Sequence, residues 1–136
     1  MPSQARTRPV SRDQVTAYVR KAEEFLVAAI AELSAGRTIA ATSLAIHAAV
    51  NAADALTGAR VGKRAAGQNH DEVLTLLGEA GPDGAAVARS LVRLLPMKTR
   101  SEYESDNVPR SAAAKAVERA QTCVVIAHRV VEATSP

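Results

Sequence analysis

Between Thr38 and Thr57 the chain is dominated by alanine, with Ala45, Ala48, Ala49, Ala52 and Ala53 recurring at spacings of one, three and four residues. Alanine is the strongest helix former and ends at Cβ, so this segment is expected to be a helix that lets a neighbouring backbone come close. The rest of the chain shares this character. Hydrophobic residues make up 47% of the 136 positions, yet only Tyr18, Phe25 and Tyr103 are aromatic. A core filled by alanine, valine and leucine suits close-packed helices better than a β-sandwich. A chain of this length fits one domain and buries roughly two-thirds of the surface that its unfolded form exposes.

The apolar spacing divides the chain. Residues 1–10, rich in Pro, Ser, Gln and Arg, read as a flexible basic N-terminal arm, which leaves 11–136 as a single helical bundle domain. Ser11 with Gln14 forms a capping-box start, and Val15, Tyr18, Val19, Ala22, Phe25, Leu26, Ala29 and Leu33 recur at helical spacing until Gly36. A second helix is expected from about Thr38 to Thr57, with Gly58 as its stop. Asn69 and Glu72 read as a capped start for a short third helix centred on Val73, Leu74, Leu76 and Leu77. A fourth helix turns Val87, Leu91, Leu94 and Leu95 inward and is expected to close at Pro96. The following polar segment, MKTRSEYESDNVP, reads as irregular until Pro109 opens the last helix, whose inner face is marked by Val117, Val124 and Val131. The pattern predicts an all-α protein: an up-down four-helix bundle with an additional short helix.

Cys123, the sole cysteine, lies in the apolar run CVVIAHRVV and reads as a small core hydrophobe in a reducing compartment. No apolar run approaches the roughly 18 residues of a membrane span, and the N-terminus lacks a signal-like hydrophobic region. A cytoplasmic protein without a membrane partner is expected.

The formal net charge is +3, and its distribution says more than its size. Arg6, Arg8 and Arg12 precede any acid. Arg60, Lys63 and Arg64 form a second acid-free run, and Arg89, Arg93, Lys98 and Arg100 a third. Such runs serve either as solvated faces or as contacts for an anionic partner.

Three groups of residues could carry chemistry. His47, Asn51 and Asp54 fall on one face of the second helix, one turn beyond Ser43, where an ordinary solvent face would carry Lys and Glu. That stripe reads as a polar seam in the bundle or as a dimer interface that fixes register. In the glycine-rich loop GARVGKRAAGQN, Arg64 precedes His70 by six positions. A guanidinium can hold a phosphate and an imidazole can move a proton, a pairing suited to metal-independent RNA cleavage, while His70 also fits as a surface or capping residue. Lys98, Arg100 and Tyr103 could hold phosphate and stack on a base, or Tyr103 could plug the bundle end. One imidazole, one amide and one carboxylate make a thin zinc set. With no phosphate-loop, nucleophile-elbow or paired-cysteine motif, neither metal nor cofactor is expected.

Taken in order, the AIHAAVNAADAL helix, the basic loop leading into GQNHDEVLTLL, and LLPMKTRSEY before a long terminal helix resemble the HEPN superfamily, over roughly Asp13 to Glu132. The resemblance is to a small, stand-alone actinobacterial-type branch. It implies an up-down bundle, a homodimer, and binding of nucleotide or RNA. Many HEPN proteins are ribonucleases of toxin–antitoxin or defence systems, and others are non-catalytic modules, some working beside a nucleotidyltransferase. Catalytic members carry Arg, four to six residues, then His. Arg64 and His70 match that spacing, although Ala65 follows the arginine and the pair precedes the third helix. The implied roles are phosphate holder for Arg64 and general acid or base for His70, with Arg60, Lys63, Lys98, Arg100 and Tyr103 as candidate nucleotide or RNA contacts. An antitoxin or nucleotidyltransferase-type partner is the matching expectation. The alternative is a non-catalytic helical dimerisation or partner-binding module.

Overall fold

Ser11 begins the first helix as its spacing predicts. Its Oγ accepts the Gln14 N–H at 3.2 Å, and Gln14 Oε1 accepts the Ser11 N–H at 2.9 Å. In the computed structural model, which describes residues 6–67, 70–102 and 107–134, α1 then runs Arg12–Ser34 and α2 Thr38–Val61. They are followed by α3 at His70–Gly78, α4 at Gly81–Glu102 and α5 at Arg110–Thr134. α1, α2, α4 and α5 form the four-helix bundle and α3 is the additional short helix. The turn between α1 and α2 passes through Gly36 at φ +81°, a left-handed conformation natural to glycine.

α2 is the central helix, packed against α1, α4 and α5. Ala45, Ala48, Ala49, Ala52 and Ala53 are all wholly buried by these neighbours. The neighbouring backbones that this alanine-rich face admits are therefore those of the protein's own helices. Each alanine contributes little apolar area, so cohesion comes from backbones brought close enough for dense contact. Larger side chains fill the remaining layers: Leu56 of α2, Leu77 of α3, and Val87, Leu91 and Leu94 of α4 are fully enclosed, each burial worth about 1.5–3 kcal/mol. Thr42 and Thr57 bury their hydroxyls by donating to carbonyls of their own helix, Thr38 at 2.8 Å and Asp54 at 3.4 Å. By length and composition alone α2 is long and apolar enough to cross a membrane, with a mean hydropathy of 1.3 over an 18-residue stretch, contrary to the sequence reading. Most of its alanines, with Ile46 and Leu56, are buried against the bundle's own helices, while Ile39 is exposed.

Other boundaries also depart from the sequence reading. Gly58 does not end α2; it is a buried position inside the helix, which stops instead at Gly62, at φ +78°. Pro96 does not close α4. It is exposed, as is Val92 one turn earlier, whose carbonyl loses its helical donor but can be met by water. Of the arm expected over residues 1–10, residues 1–5 lie outside the described residues, and Thr7–Pro9 forms a strand, β1, paired antiparallel with β2 at Lys63–Ala65. Arg6 and Val10 extend the ladder: the Ala66 N–H donates to Arg6 O at 2.8 Å and the Val10 N–H to Gly62 O at 3.0 Å. Backbone pairing available only when α2 ends at Gly62 holds this segment, and no local apolar pattern announces it.

Candidate functional site

The last turns of α2, the ribbon strand β2, the start of α3 and the C-terminal half of α4 meet at one end of the bundle. They enclose a cleft of about 370 Å³ lined by Val50, Asp54, Arg64, Ala65, Gly67, His70, Val73 and Lys98. Gly62 turns the chain back from α2, so β2 returns past Asp54 and sets Arg64 beside it. Gly67 then pins the loop: its N–H donates to Glu72 Oε2 at 3.1 Å, and a Cβ there would run into the Glu72 carboxylate. Asn69, expected to cap α3, lies outside the described residues; the Gly67–Glu72 bond is what the structure shows at this helix start.

The electrostatics of the cleft are unequal. Burial pushes the Asp54 carboxyl up to about 6 against the opposing pull of Arg64 and Lys21. His70 is shifted the other way, below the usual imidazole range, first by burial and then by Lys98, with Asp71 opposing. At neutral pH, His70 is therefore an uncharged imidazole able to accept a proton, beside a carboxyl that titrates unusually close to neutrality. The Arg64 guanidinium lies 5.9 Å from the centroid of the Tyr18 ring, and its Nη1 donates to Ala65 O at 3.0 Å. A flat aromatic beneath the cation restricts its orientation without neutralising it.

The structure thus brings Arg64, His70 and Lys98 together and adds Asp54, which the sequence places on the helical stripe. The stripe does not act as a unit. His47 is exposed and stacks on Phe25, with ring centroids 5.4 Å apart, and Asn51 Nδ2 donates to His47 O at 2.8 Å. Asp54 alone reaches the cleft. Arg60 is turned to another task, its Nη2 lying 3.1 Å from Asp83 Oδ2, while Arg129 takes Asp83 Oδ1 at 2.8 Å. That acid ties α2, α4 and α5 together. Neither Lys63, which pairs with Pro9 in the ribbon, nor Arg100, in the last turn of α4, lines the cleft. Tyr103 lies outside the described residues. Among the described residues no three His, Cys, Asp or Glu side chains gather as a metal-ligand set. Sequence reasoning missed Tyr18 and Lys21, one turn apart on α1; the only local signal for them was an aromatic and a cation at adjacent-turn spacing.

An up-down bundle with a small inserted helix, and a basic, histidine-bearing cleft where that helix begins, defines the class. The HEPN domain family model matches residues 15–135, nearly the whole chain, and the protein belongs to that family. The family is associated with nucleotide and RNA binding and with ribonuclease activity. A comparison with curated proteins gives no significant match.

Proposed function

We propose that the cleft binds single-stranded RNA and cleaves it without a cofactor. The observation that carries this reading is the convergence of Asp54, Arg64, His70 and Lys98 on one cleft. Arg64 and Lys98 hold the phosphate whose ester is to break. His70 takes the proton of the adjacent ribose 2′-hydroxyl, and the 2′-oxygen forms a bond to phosphorus as the bond to the 5′-oxygen breaks. Asp54 in its protonated form gives a proton to that leaving oxygen. The products are a 2′,3′-cyclic phosphate and a 5′-hydroxyl, and both side chains then exchange protons with water. A toxin–antitoxin or defence setting, with an antitoxin or nucleotidyltransferase-type partner, is part of this proposal and rests on the family resemblance. So is a homodimer, for which α1 offers the exposed apolar pair Val27 and Ile30.

The second reading, a non-catalytic binding module, is favoured by one observation: the Arg64 guanidinium already spends a donor on Ala65 O and packs on Tyr18. One experiment separates the two. Wild type, Arg64→Ala and His70→Ala are incubated with total RNA, and the new termini are analysed. Cyclic phosphate ends formed by wild type and lost in both variants support catalysis. RNA binding with no new termini selects the binding module, and light scattering of the same samples reads the oligomeric state.

A further inference from the structure

The ribbon beside the cleft carries more positive charge than its pairing favours. In the antiparallel register Arg8 stands directly opposite Arg64, with Thr7 opposite Ala65 and Pro9 opposite Lys63. Residues opposite one another in such a ribbon project from the same face with Cβ atoms about 5 Å apart, so the side chains of Arg8 and Arg64 start out from one face of the ribbon. Alternation along the chain puts Arg6 on that face too, roughly 6.6 Å before Arg8. Its backbone is still held there, because Arg6 O accepts the Ala66 N–H at 2.8 Å.

Like charges directly opposite weaken an antiparallel pair. Arg6 and Arg8 are exposed, and among the described residues neither has a carboxylate within ion-pair distance. The arrangement becomes favourable once a polyanion lies along the face. Its pitch is comparable to the step between successive phosphates of an extended single strand, and Arg64 belongs both to this row and to the cleft. Arg6 and Arg8 also precede the residues 15–135 that the family model covers.

We infer that the N-terminal strand is a phosphate-tracking arm of the cleft: Arg6 and Arg8 hold successive backbone phosphates of a single-stranded RNA whose next phosphate is held by Arg64. The inference rests on the RNA reading of the cleft. It is tested by fluorescence anisotropy of a short labelled oligouridylate, in a His70→Ala background that prevents cleavage, over a range of salt concentrations. Arg6→Ala and Arg8→Ala should each weaken binding several-fold and flatten the slope of log affinity against log salt by about 0.7. Lys115→Ala, an exposed cation on α5, should change neither. The melting temperature of the Arg8→Ala protein should equal or exceed its parent's, because the repulsion with Arg64 is relieved.

If both arm variants bind like Lys115→Ala while Arg64→Ala binds weakly, the arm is disproved and the cleft reading stands. If Arg8→Ala binds weakly but also melts earlier, Arg8 is a structural residue and the inference fails. If the parent binds no RNA, the cleft reading itself falls and the arm with it.

Discussion

His128 Nδ1 lies 2.6 Å from Glu23 Oε1, so the last helix is tied to the first through an imidazole, whose Nε2 is also 3.3 Å from Glu132 Oε1. The hydrogen bond to Glu23, aided by Glu132, holds the His128 pKa above its ordinary value. The folded protein thus keeps a proton at pH values where the unfolded chain has released it. The stabilisation is complete below about pH 6.5 and fades as pH rises through the higher folded value. Both groups are close to half exposed, and water screening limits the pair to about 0.2–1 kcal/mol. His128→Gln should therefore lower the melting temperature near pH 5.5 and leave it unchanged near pH 9, as read by thermal denaturation at the two pH values.

Asp54 has the same sign as His128, in a lower pH window. Its folded pKa, about 6, lies above the ordinary aspartate value, so the native state holds a proton that the unfolded chain loses near pH 4. Stability falls as pH rises from about 4 to 6, and above that window a buried carboxylate costs up to about 2–3 kcal/mol. Asp54→Asn is expected to melt higher than wild type at pH 8 and almost equally at pH 4, while RNA cleavage drops. Stability gained at the expense of activity marks a functional position. A variant less stable than wild type at pH 8 would remove this account of Asp54.

Gly58 permits the crossing of α1 and α2. In an ordinary helix interior, Gly→Ala stabilises by about 0.5–1 kcal/mol. Here a Cβ would sit 2.7 Å from Val15 Cγ2 and 2.9 Å from Val10 Cγ1, both on short branched side chains that cannot swing away. Overpacking of this kind costs about 1–3 kcal/mol and outweighs the propensity gain. Gly58→Ala should shift the urea midpoint downward, and chemical denaturation curves will show whether it does.

Cys123 is wholly buried, and burial pushes its thiol up to about 12. Almost no thiolate exists at neutral pH, and the sulfur has no route to solvent. Iodoacetamide should leave the native protein unmodified and alkylate it stoichiometrically in urea, a difference that intact-mass spectrometry resolves.

The bundle was legible because a period of three to four in apolar residues, a capping box at Ser11 and chain-reversing glycines are local features. Pro96 was misread because the sequence does not reveal that Pro96 and Val92 face solvent, where a missing helical donor is harmless. The ribbon was invisible for another reason: three-residue strands separated by all of α1 and α2 carry no alternation to detect. At the site, the Arg64–His70 spacing could be seen in the chain. Asp54 could not be assigned to that pair, since its place on the stripe with His47 and Asn51 gave no hint that β2 folds back past the end of α2. Arg60 looked equivalent to Arg64 in a basic run, and only the tertiary position of Asp83 separates them.

The central claim is that Arg64 and His70 act on RNA from one cleft, and the most direct measurement is the single-turnover cleavage rate of a labelled oligoribonucleotide set against its 2′-deoxy analogue. Wild type should cleave the ribonucleotide and spare the analogue, and His70→Ala should be slower by about 10²–10⁴-fold, the usual contribution of a general acid or base. Cleavage of both strands alike, or equal rates for wild type, Arg64→Ala and His70→Ala, would contradict it.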